Sequence, residues 1–338
     1  MTAPPRTAIL GIGHHVPERV VTNHDLAKMF ATTDEWIVQR SGIHERRYVE
    51  HDLIGSTDLA VPASQRALQS AGIEAKDLDC IVFATLTPDH VFPGNACILQ
   101  RKLGVPGIAA IDVRNQCTGF LYSLSVADAW IKTGQFRRIL VVGAEVHSTG
   151  LEFADRGRDV TVLFGDGAGA VVVGPLGPSD DPARGVLSTH LHADGSGAEE
   201  LWVEVCSSKH NPRITHQMLD EGRQYPKMNG KQVFRWACEK MPEAANEALA
   251  ANGLTMADVD IVIPHQANLR INEMVPSRMG IPPEKVYNNI QRYGNTTAAS
   301  IPLCLSEAMS VGRAKKGDLC LMVAFGAGFT WGSALVRL

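Results

Sequence analysis

The sequence has no apolar run long enough to cross a membrane, no CxxC pair and no excess of positive charge. A membrane-spanning helix needs about 20 consecutive apolar residues, so we expect no membrane partner. A formal net charge of −4 provides no basic field for nucleic acid. The 338 residues, 45% of them hydrophobic, are enough for two packed domains.

The chain contains seven cysteines, at positions 80, 97, 117, 206, 238, 304 and 320. This odd number without paired spacing argues against a disulfide framework and a structural zinc site. The opening MTAPPRTAILGIG lacks the apolar stretch of a secretory signal, and we expect a cytoplasmic protein. His190 and His192 alternate on one strand face, but no third ligand spacing accompanies them, so we expect no metal site.

The segment from Gly104 to Glu145 contains the first candidate functional residue. It predicts a strand at Ile108–Val113, a polar turn, then Cys117, a helix of small residues and a second strand. A cysteine at a helix N-terminus is favoured as the thiolate. Cys117 is therefore a candidate nucleophile; the alternative is a small buried hydrophobic residue, as most free cysteines are.

Three glycines in FGDGAGA, at positions 165, 167 and 169, suggest a phosphate-binding loop at first sight. A dinucleotide fingerprint must open a helix, whereas this segment continues into the apolar run Ala170–Val173. We therefore expect the glycines to permit close backbone packing.

The second half of the chain repeats the first in one register. The segment from Met279, MGIPPEKVYNNIQRYGNTTAAS, lies over LGVPGIAAIDVRNQCTGFLYS, and CIVFATLTPDH lies over DIVIPHQANLR. This repeat predicts a duplicated α/β fold with halves at 1–175 and 185–338, joined by GPLGPSDDPAR. Superposing the repeats brings Asn295 near the position of Cys117 and puts His265 at a strand end. We expect all three residues at the carboxyl ends of strands, where open α/β sheets have their sites.

A thiol, an imidazole and a carboxamide together suit thioester chemistry. Cys117 could hold an acyl group, and His265 and Asn295 could donate hydrogen bonds to a second thioester carbonyl and stabilise its enolate. Separately, each has an ordinary explanation: a histidine in the core or on the surface, and an asparagine in a turn.

Several longer segments carry a resemblance: TNHDLAKM, TTDEWIVQRSGI, STHLHADGS, IPHQANLRI, YGNTTAASIP and AFGAGFTWGSALVRL. Over nearly its whole length the chain resembles the 3-oxoacyl-[acyl-carrier-protein] synthase III family of condensing enzymes. The resemblance implies a thiolase-like fold of two βαβαβ-type halves in five layers, α-β-α-β-α. It also implies a homodimer, and no cofactor beyond the coenzyme A thioester used as substrate.

The same resemblance implies the reaction that starts fatty-acid synthesis. Cys117 would be acylated from an acyl-CoA primer, and His265 and Asn295 would then promote decarboxylative Claisen condensation with malonyl-acyl carrier protein. The N–H of Cys117 and the loop near Ala327 would form an oxyanion hole.

The remaining residues implied by the resemblance fall into three groups. Coenzyme A would contact Trp36, Arg40, Arg156 and Asn268. Carrier protein would meet the basic residues Arg235, Arg270 and Arg278, for which solvated helix charge is the alternative. Phe325 would line the acyl pocket, and Phe92 would close it from the partner subunit, unless Phe92 simply packs its own loop.

The chain departs from the family's common pattern at Asn115 and Gln116, before Cys117, and in a longer segment at 206–230. Tyr225 and Trp236 could narrow the acyl channel or could simply pack. These departures leave open a specialised relative from a secondary-metabolite pathway that uses another acyl primer or acceptor. A third alternative is a non-catalytic partner subunit, for which slow iodoacetamide labelling of Cys117 at neutral pH would be evidence.

Overall fold

Two main sheets organise the computed structural model, which describes residues 5–338. The strands are β1 Thr7–His15, β2 Val20–Thr22, β3 Glu45–Arg47, β4 Cys80–Ala84, β5 Ala109–Val113, β6 Ile139–Glu145, β7 Gly167–Pro175, β8 Gly185–Ala193, β9 Leu201–Trp202, β10 Lys227–Met228, β11 Ile261–Pro264, β12 Leu319–Gly326 and β13 Thr330–Arg337. The first sheet has the order β1-β7-β6-β4-β5 and the second the order β11-β12-β13-β8. All strands of the first sheet precede residues 176–184 in the chain, and all strands of the second sheet follow them. The first four residues of the predicted N-terminal half lie outside the described residues.

The helices are α1 Asn23–Leu26, α2 Asp34–Ser41, α3 Ser56–Ala71, α4 Asn95–Leu103, α5 Gly119–Lys132, α6 Arg158–Thr161, α7 His216–Asp220, α8 Gly230–Ala251, α9 Leu269–Met279, α10 Ile290–Tyr293 and α11 Ser300–Ser310. In β4 and β6 every residue is buried, as expected for strands covered on both faces.

Three apolar clusters define the layers. One contains residues of α5 and α11 together with strands of both sheets, so these helices lie between the sheets. A second joins α3 and α4 to the outer face of the first sheet, and a third joins α8 and α9 to the outer face of the second. The five-layered thiolase-like arrangement predicted from the resemblance is confirmed.

The duplication is less regular than the sequence predicted. β5 pairs in parallel with β4, but the corresponding segment of the second half makes only an isolated bridge between Val286 and Val262. The expectation that Asn295 follows a strand is wrong, because α10 precedes it. The buried carboxylate of Glu307 accepts hydrogen bonds from the side chains of Asn289 and Tyr293, and these bonds hold the segment in a helical turn.

The glycines of FGDGAGA permit close packing, as predicted. A Cβ on Gly169 would lie 2.6 Å from the backbone nitrogen of Leu303, and one on Gly165 would meet the carbonyl oxygen of Tyr293. Across residues 5–338, the helices are all too short or too polar to span a bilayer.

Candidate active site

Cys117 lies in the turn between β5 and α5. The turn is a short 3₁₀ segment, Gln116–Thr118, and Gln116 has a φ of 42°. The helix begins at Gly119, where a Cβ would lie 3.0 Å from the Cβ of Ala84 and 3.3 Å from that of Ala298. Glycine therefore lets the start of α5 approach both halves of the molecule, and Cys117 is 6% exposed between them.

The end of β12 covers the nucleophile candidate. A Cβ on Gly326 would lie 2.5 Å from the Cβ of Cys117 and 2.9 Å from its Sγ. The backbone N–H of the next residue, Ala327, favours the ionised form of the Cys117 thiol. This N–H and that of Cys117 itself are the donors expected for the oxyanion hole.

The surroundings of Cys117 favour its neutral thiol, contrary to the thiolate expected at a helix N-terminus. Burial and the Glu145 carboxylate raise its pKa to about 12, which outweighs the two backbone N–H groups. Slow iodoacetamide labelling at neutral pH therefore cannot identify a non-catalytic subunit, because a buried neutral thiol reacts slowly in either case.

Sequence reasoning missed Glu145, the last residue of β6. Its carboxylate accepts hydrogen bonds from the hydroxyls of Thr85 (3.0 Å) and Thr87 (2.6 Å) and from the N–H of Leu86. Burial raises its pKa to about 7, and these hydrogen bonds oppose the shift. The only sequence signal was an acidic residue at the end of an apolar strand.

His265 follows β11 directly, as predicted. Its Nδ1 lies 2.6 Å from Ser300 Oγ, and its buried Nε2 has no hydrogen-bond partner among the described residues 5–338. Burial lowers the pKa of His265 to about 3, so the ring is neutral near pH 7. A buried imidazole nitrogen without a partner indicates a position for a ligand.

Asn295 is held by the backbone on both sides. Its N–H donates to Leu163 O (2.8 Å), and its carbonyl accepts from the N–H of Gly165 (3.0 Å). The side-chain Oδ1 accepts from the N–H of Thr297 at 2.9 Å. Because this bond turns Oδ1 toward Thr297, the NH₂ group is the end of the carboxamide left for a ligand.

One cavity of about 810 Å³ joins these residues. Its lining includes Cys117, His265, Asn295, Phe325 and Gly326. The repeat therefore predicted correctly that the thiol, the imidazole and the carboxamide come together, although they are separated by up to 178 positions in the chain.

Trp36, Arg40 and Asn268, all expected at a coenzyme A site, line the same cavity. The guanidinium of Arg40 lies 4.3 Å from the centroid of the Trp36 ring, and that of Arg158 lies 4.5 Å from it. Asn268 caps α9 by accepting from the N–H of Arg270, and its Nδ2 donates to Arg40 O.

The structure places Arg158, and not Arg156, in the lining of this cavity. Arg156 is outside the cavity lining, because its Nε donates to Glu152 (2.8 Å) and its Nη1 to the Asp220 carbonyl (3.2 Å). Arg158 lines the cavity instead. No sequence signal indicates which of these two arginines lines the cavity, because they are only two positions apart. The ion pair of Arg156 with Glu152 holds Arg156 away from it.

The predicted carrier-protein residues are Arg235, Arg270 and Arg278, all exposed on α8 and α9. Of these, Arg270 also lines the cavity. Phe92 is 82% exposed and does not line this chain's cavity. The cavity lining does not include Asn115, Gln116, Tyr225 or Trp236. Trp236 packs instead against Phe329, with ring centroids 5.4 Å apart.

The fold and this cavity define a class: a thiolase-fold condensing enzyme, an acyltransferase. A family model described as 3-Oxoacyl-[acyl-carrier-protein (ACP)] synthase III matches residues 111–195. A second model, described as the C-terminal part of the same family, matches residues 249–338. The chain is 46% identical over 329 residues to the beta-ketoacyl-[acyl-carrier-protein] synthase III of Geobacillus kaustophilus, covering 97% of this chain and 98% of that one.

Two solved structures extend the comparison. The 3-oxoacyl-[acyl-carrier-protein] synthase III of Aquifex aeolicus superposes with a TM-score of 0.89 at 42% identity, covering 98% of this chain and 100% of the other. The priming beta-ketosynthase of the R1128 polyketide pathway has a TM-score of 0.87 at 35% identity, covering 99% and 98%. The chain belongs to the 3-oxoacyl-[acyl-carrier-protein] synthase III family.

Proposed function

We propose that the protein condenses an acyl-CoA primer with malonyl-acyl carrier protein to give a 3-oxoacyl-acyl carrier protein, the first condensation of fatty-acid synthesis. One observation carries this proposal: the cavity that is lined by Cys117, His265 and Asn295 is also lined by Trp36, whose ring has two guanidinium groups within 4.5 Å of its centroid. An indole face beside fixed cations suits a flat, anionic nucleotide.

In the first half-reaction, Cys117 Sγ attacks the primer thioester. As the S–C bond forms, the thiol proton passes to His265 Nε2, which is neutral and has no hydrogen-bond partner among residues 5–338. The N–H groups of Cys117 and Ala327 stabilise the tetrahedral oxyanion. The S–C bond of the acyl-enzyme forms, the bond to coenzyme A sulfur breaks, and His265 returns the proton to that sulfur.

In the second half-reaction, His265 Nε2–H and the Asn295 NH₂ donate to the malonyl thioester carbonyl. This requires the other tautomer, in which Ser300 Oγ–H donates to His265 Nδ1, so between the two half-reactions the ring exchanges its Nδ1 proton for one on Nε2 with solvent. Carbon dioxide leaves, and the two electrons of its C–C bond form the enolate. The enolate carbon attacks the acyl carbonyl, and the Cys117 sulfur leaves as the thiolate, which takes up a proton from solvent to restore the thiol.

Three further features support an acyl carrier protein as partner, a homodimer and a cytoplasmic location. Arg235, Arg270 and Arg278 present exposed positive charge, which suits an acidic carrier protein. β5 is an edge strand and Phe92 is exposed, so a homodimer could pair edges and place this ring in the partner's acyl pocket. All seven cysteines are free thiols, which suits the reducing cytoplasm.

Intact-protein mass spectrometry tests the proposal. The protein is incubated with acyl-CoAs from acetyl to long-chain, and then with malonyl-acyl carrier protein. A mass gain from a short acyl group that malonyl-acyl carrier protein discharges would support it; the absence of any acyl-enzyme would refute it. The likeness to a priming polyketide ketosynthase favours a second candidate, a starter-unit enzyme, which would accept only unusual or long acyl groups or discharge to another acceptor.

A further inference from the structure

A second buried histidine contacts the active-site segment but has no place in the proposed reaction. His147 follows β6 and is 6% exposed. Its Nε2 shares a 2.7 Å hydrogen bond with Thr297 Oγ1, yet His147 does not line the cavity. Any influence on the reaction must therefore pass through its neighbours.

Thr297 links this histidine to the carboxamide of Asn295. It has a φ of 49°, which is a left-handed conformation uncommon for a β-branched residue, so its surroundings must hold it there. In this conformation the Thr297 N–H donates to Asn295 Oδ1. The turn therefore decides which end of the carboxamide is free.

His147 is itself firmly placed. Its N–H donates to Asp166 Oδ1 at 2.7 Å, and its ring packs on Phe164 with centroids 4.5 Å apart. Phe164 forms a parallel bridge with Asn295. His147 thus contacts the residues on both sides of Asn295: Thr297 through its Nε2 and Phe164 through its ring face.

We propose that His147 is a positioning residue that holds the Asn295 carboxamide with its NH₂ group toward the cavity, acting through Thr297. The inference rests on the proposed function, in which Asn295 serves the malonyl half-reaction alone. If the Thr297 turn relaxed, the carboxamide could rotate and present Oδ1, an acceptor, to the enolate oxygen. Decarboxylation would then lose a donor and gain a repulsive contact.

The experiment compares three substitutions that separate the hydrogen bond from ring packing. His147→Phe keeps an aromatic ring but removes the polar contact; His147→Gln retains a polar atom at about the distance of Nε2; Thr297→Val removes the hydroxyl. His14→Phe is the matched control, because the Nδ1 of His14 lies 2.8 Å from the hydroxyl of Ser306, away from the cavity. Two rates are measured: self-acylation from acyl-CoA, and discharge of the acyl-enzyme by malonyl-acyl carrier protein.

We expect His147→Phe and Thr297→Val each to lower kcat of the discharge by about ten-fold, while KM and the self-acylation rate stay within about two-fold. His147→Gln should recover most of the loss, and the double variant should be no slower than either single one. His14→Phe should leave the ratio of the two rates unchanged.

The inference is overturned if His147→Phe discharges at the wild-type rate, if it slows both half-reactions equally, or if His147→Gln gives no recovery. Should His147→Phe fail to fold, Thr297→Val and His147→Gln still decide the question. Failure of the proposed function would look different, because wild type itself would then form no acyl-enzyme or would not be discharged by malonyl-acyl carrier protein.

Discussion

Gly326→Ala tests whether the end of β12 holds the nucleophile in place. The backbone of Gly326 is outside the left-handed region, so alanine is conformationally allowed there, and the effect is purely steric. The new methyl carbon would lie 2.5 Å from the Cβ of Cys117. Carbon atoms pack at about 3.5–4.0 Å, so Cys117 or the strand must move by about 1 Å.

A displacement of that size has two expected costs. Overpacking of a filled interior destabilises by about 1–3 kcal/mol, which lowers Tm by a few degrees in a chain of this size. A misplacement of about 1 Å at a reacting group costs on the order of 100-fold in rate. We therefore expect self-acylation of Gly326→Ala to be slower by about two orders of magnitude while the protein remains folded.

The assay is the time course of acyl-enzyme formation by intact-protein mass, with thermal unfolding measured on the same samples. Gly150→Ala is the control, because a Cβ there would meet open space and its φ is also outside the left-handed region; it should acylate and unfold like wild type. Wild-type acylation by Gly326→Ala would refute the argument that Gly326 and Cys117 are packed without room to adjust.

Four other outcomes follow from the site. Cys117→Ser should form no acyl-enzyme in the mass assay, and an acylated serine variant would show that another residue is the nucleophile. Asn295→Ala should keep self-acylation but lose discharge by malonyl-acyl carrier protein; equal loss of both would contradict the division of roles. Arg158→Ala should raise KM for acyl-CoA several-fold because its guanidinium contacts Trp36, whereas Arg156→Ala should not, and the reverse order would restore Arg156 to the coenzyme A site. Burial lowers the pKa of His147 to about 3 from an unfolded value of about 6.5, so its neutral form stabilises the fold above pH 6.5 and this contribution is lost as pH falls. Between pH 6.5 and 5, wild type should therefore lose about 1.6 kcal/mol of unfolding free energy relative to His147→Phe, measured by denaturant titration, and parallel pH curves would contradict it.

Much of the architecture was readable from local pattern and repetition. The apolar runs at Cys80–Ala84 and Ile139–Glu145 are buried on both faces, and their composition alone indicates covered strands. The internal repeat predicted that Cys117, His265 and Asn295 would meet, because two copies of one fold place equivalent loops at one pseudo-symmetric centre.

The partners of each side chain were decided by tertiary structure. Which of Arg156 and Arg158 faces the cavity depends on Glu152 and Asp220, and the latter lies 64 positions along the chain from Arg156. For Cys117, the helix N-terminus that favours a thiolate is a local feature of the chain, whereas the burial and the Glu145 carboxylate that raise the pKa of its thiol are imposed by the packed molecule.

The sequence by itself therefore determined the fold, the family and the three residues at the site, since periodicity, repetition and residue type are properties of the chain. Only the tertiary structure decided the electrostatics and the supporting contacts, including those of His147 and Thr297. Desolvation and hydrogen bonding depend on distances between residues far apart in sequence, and no local pattern encodes those distances.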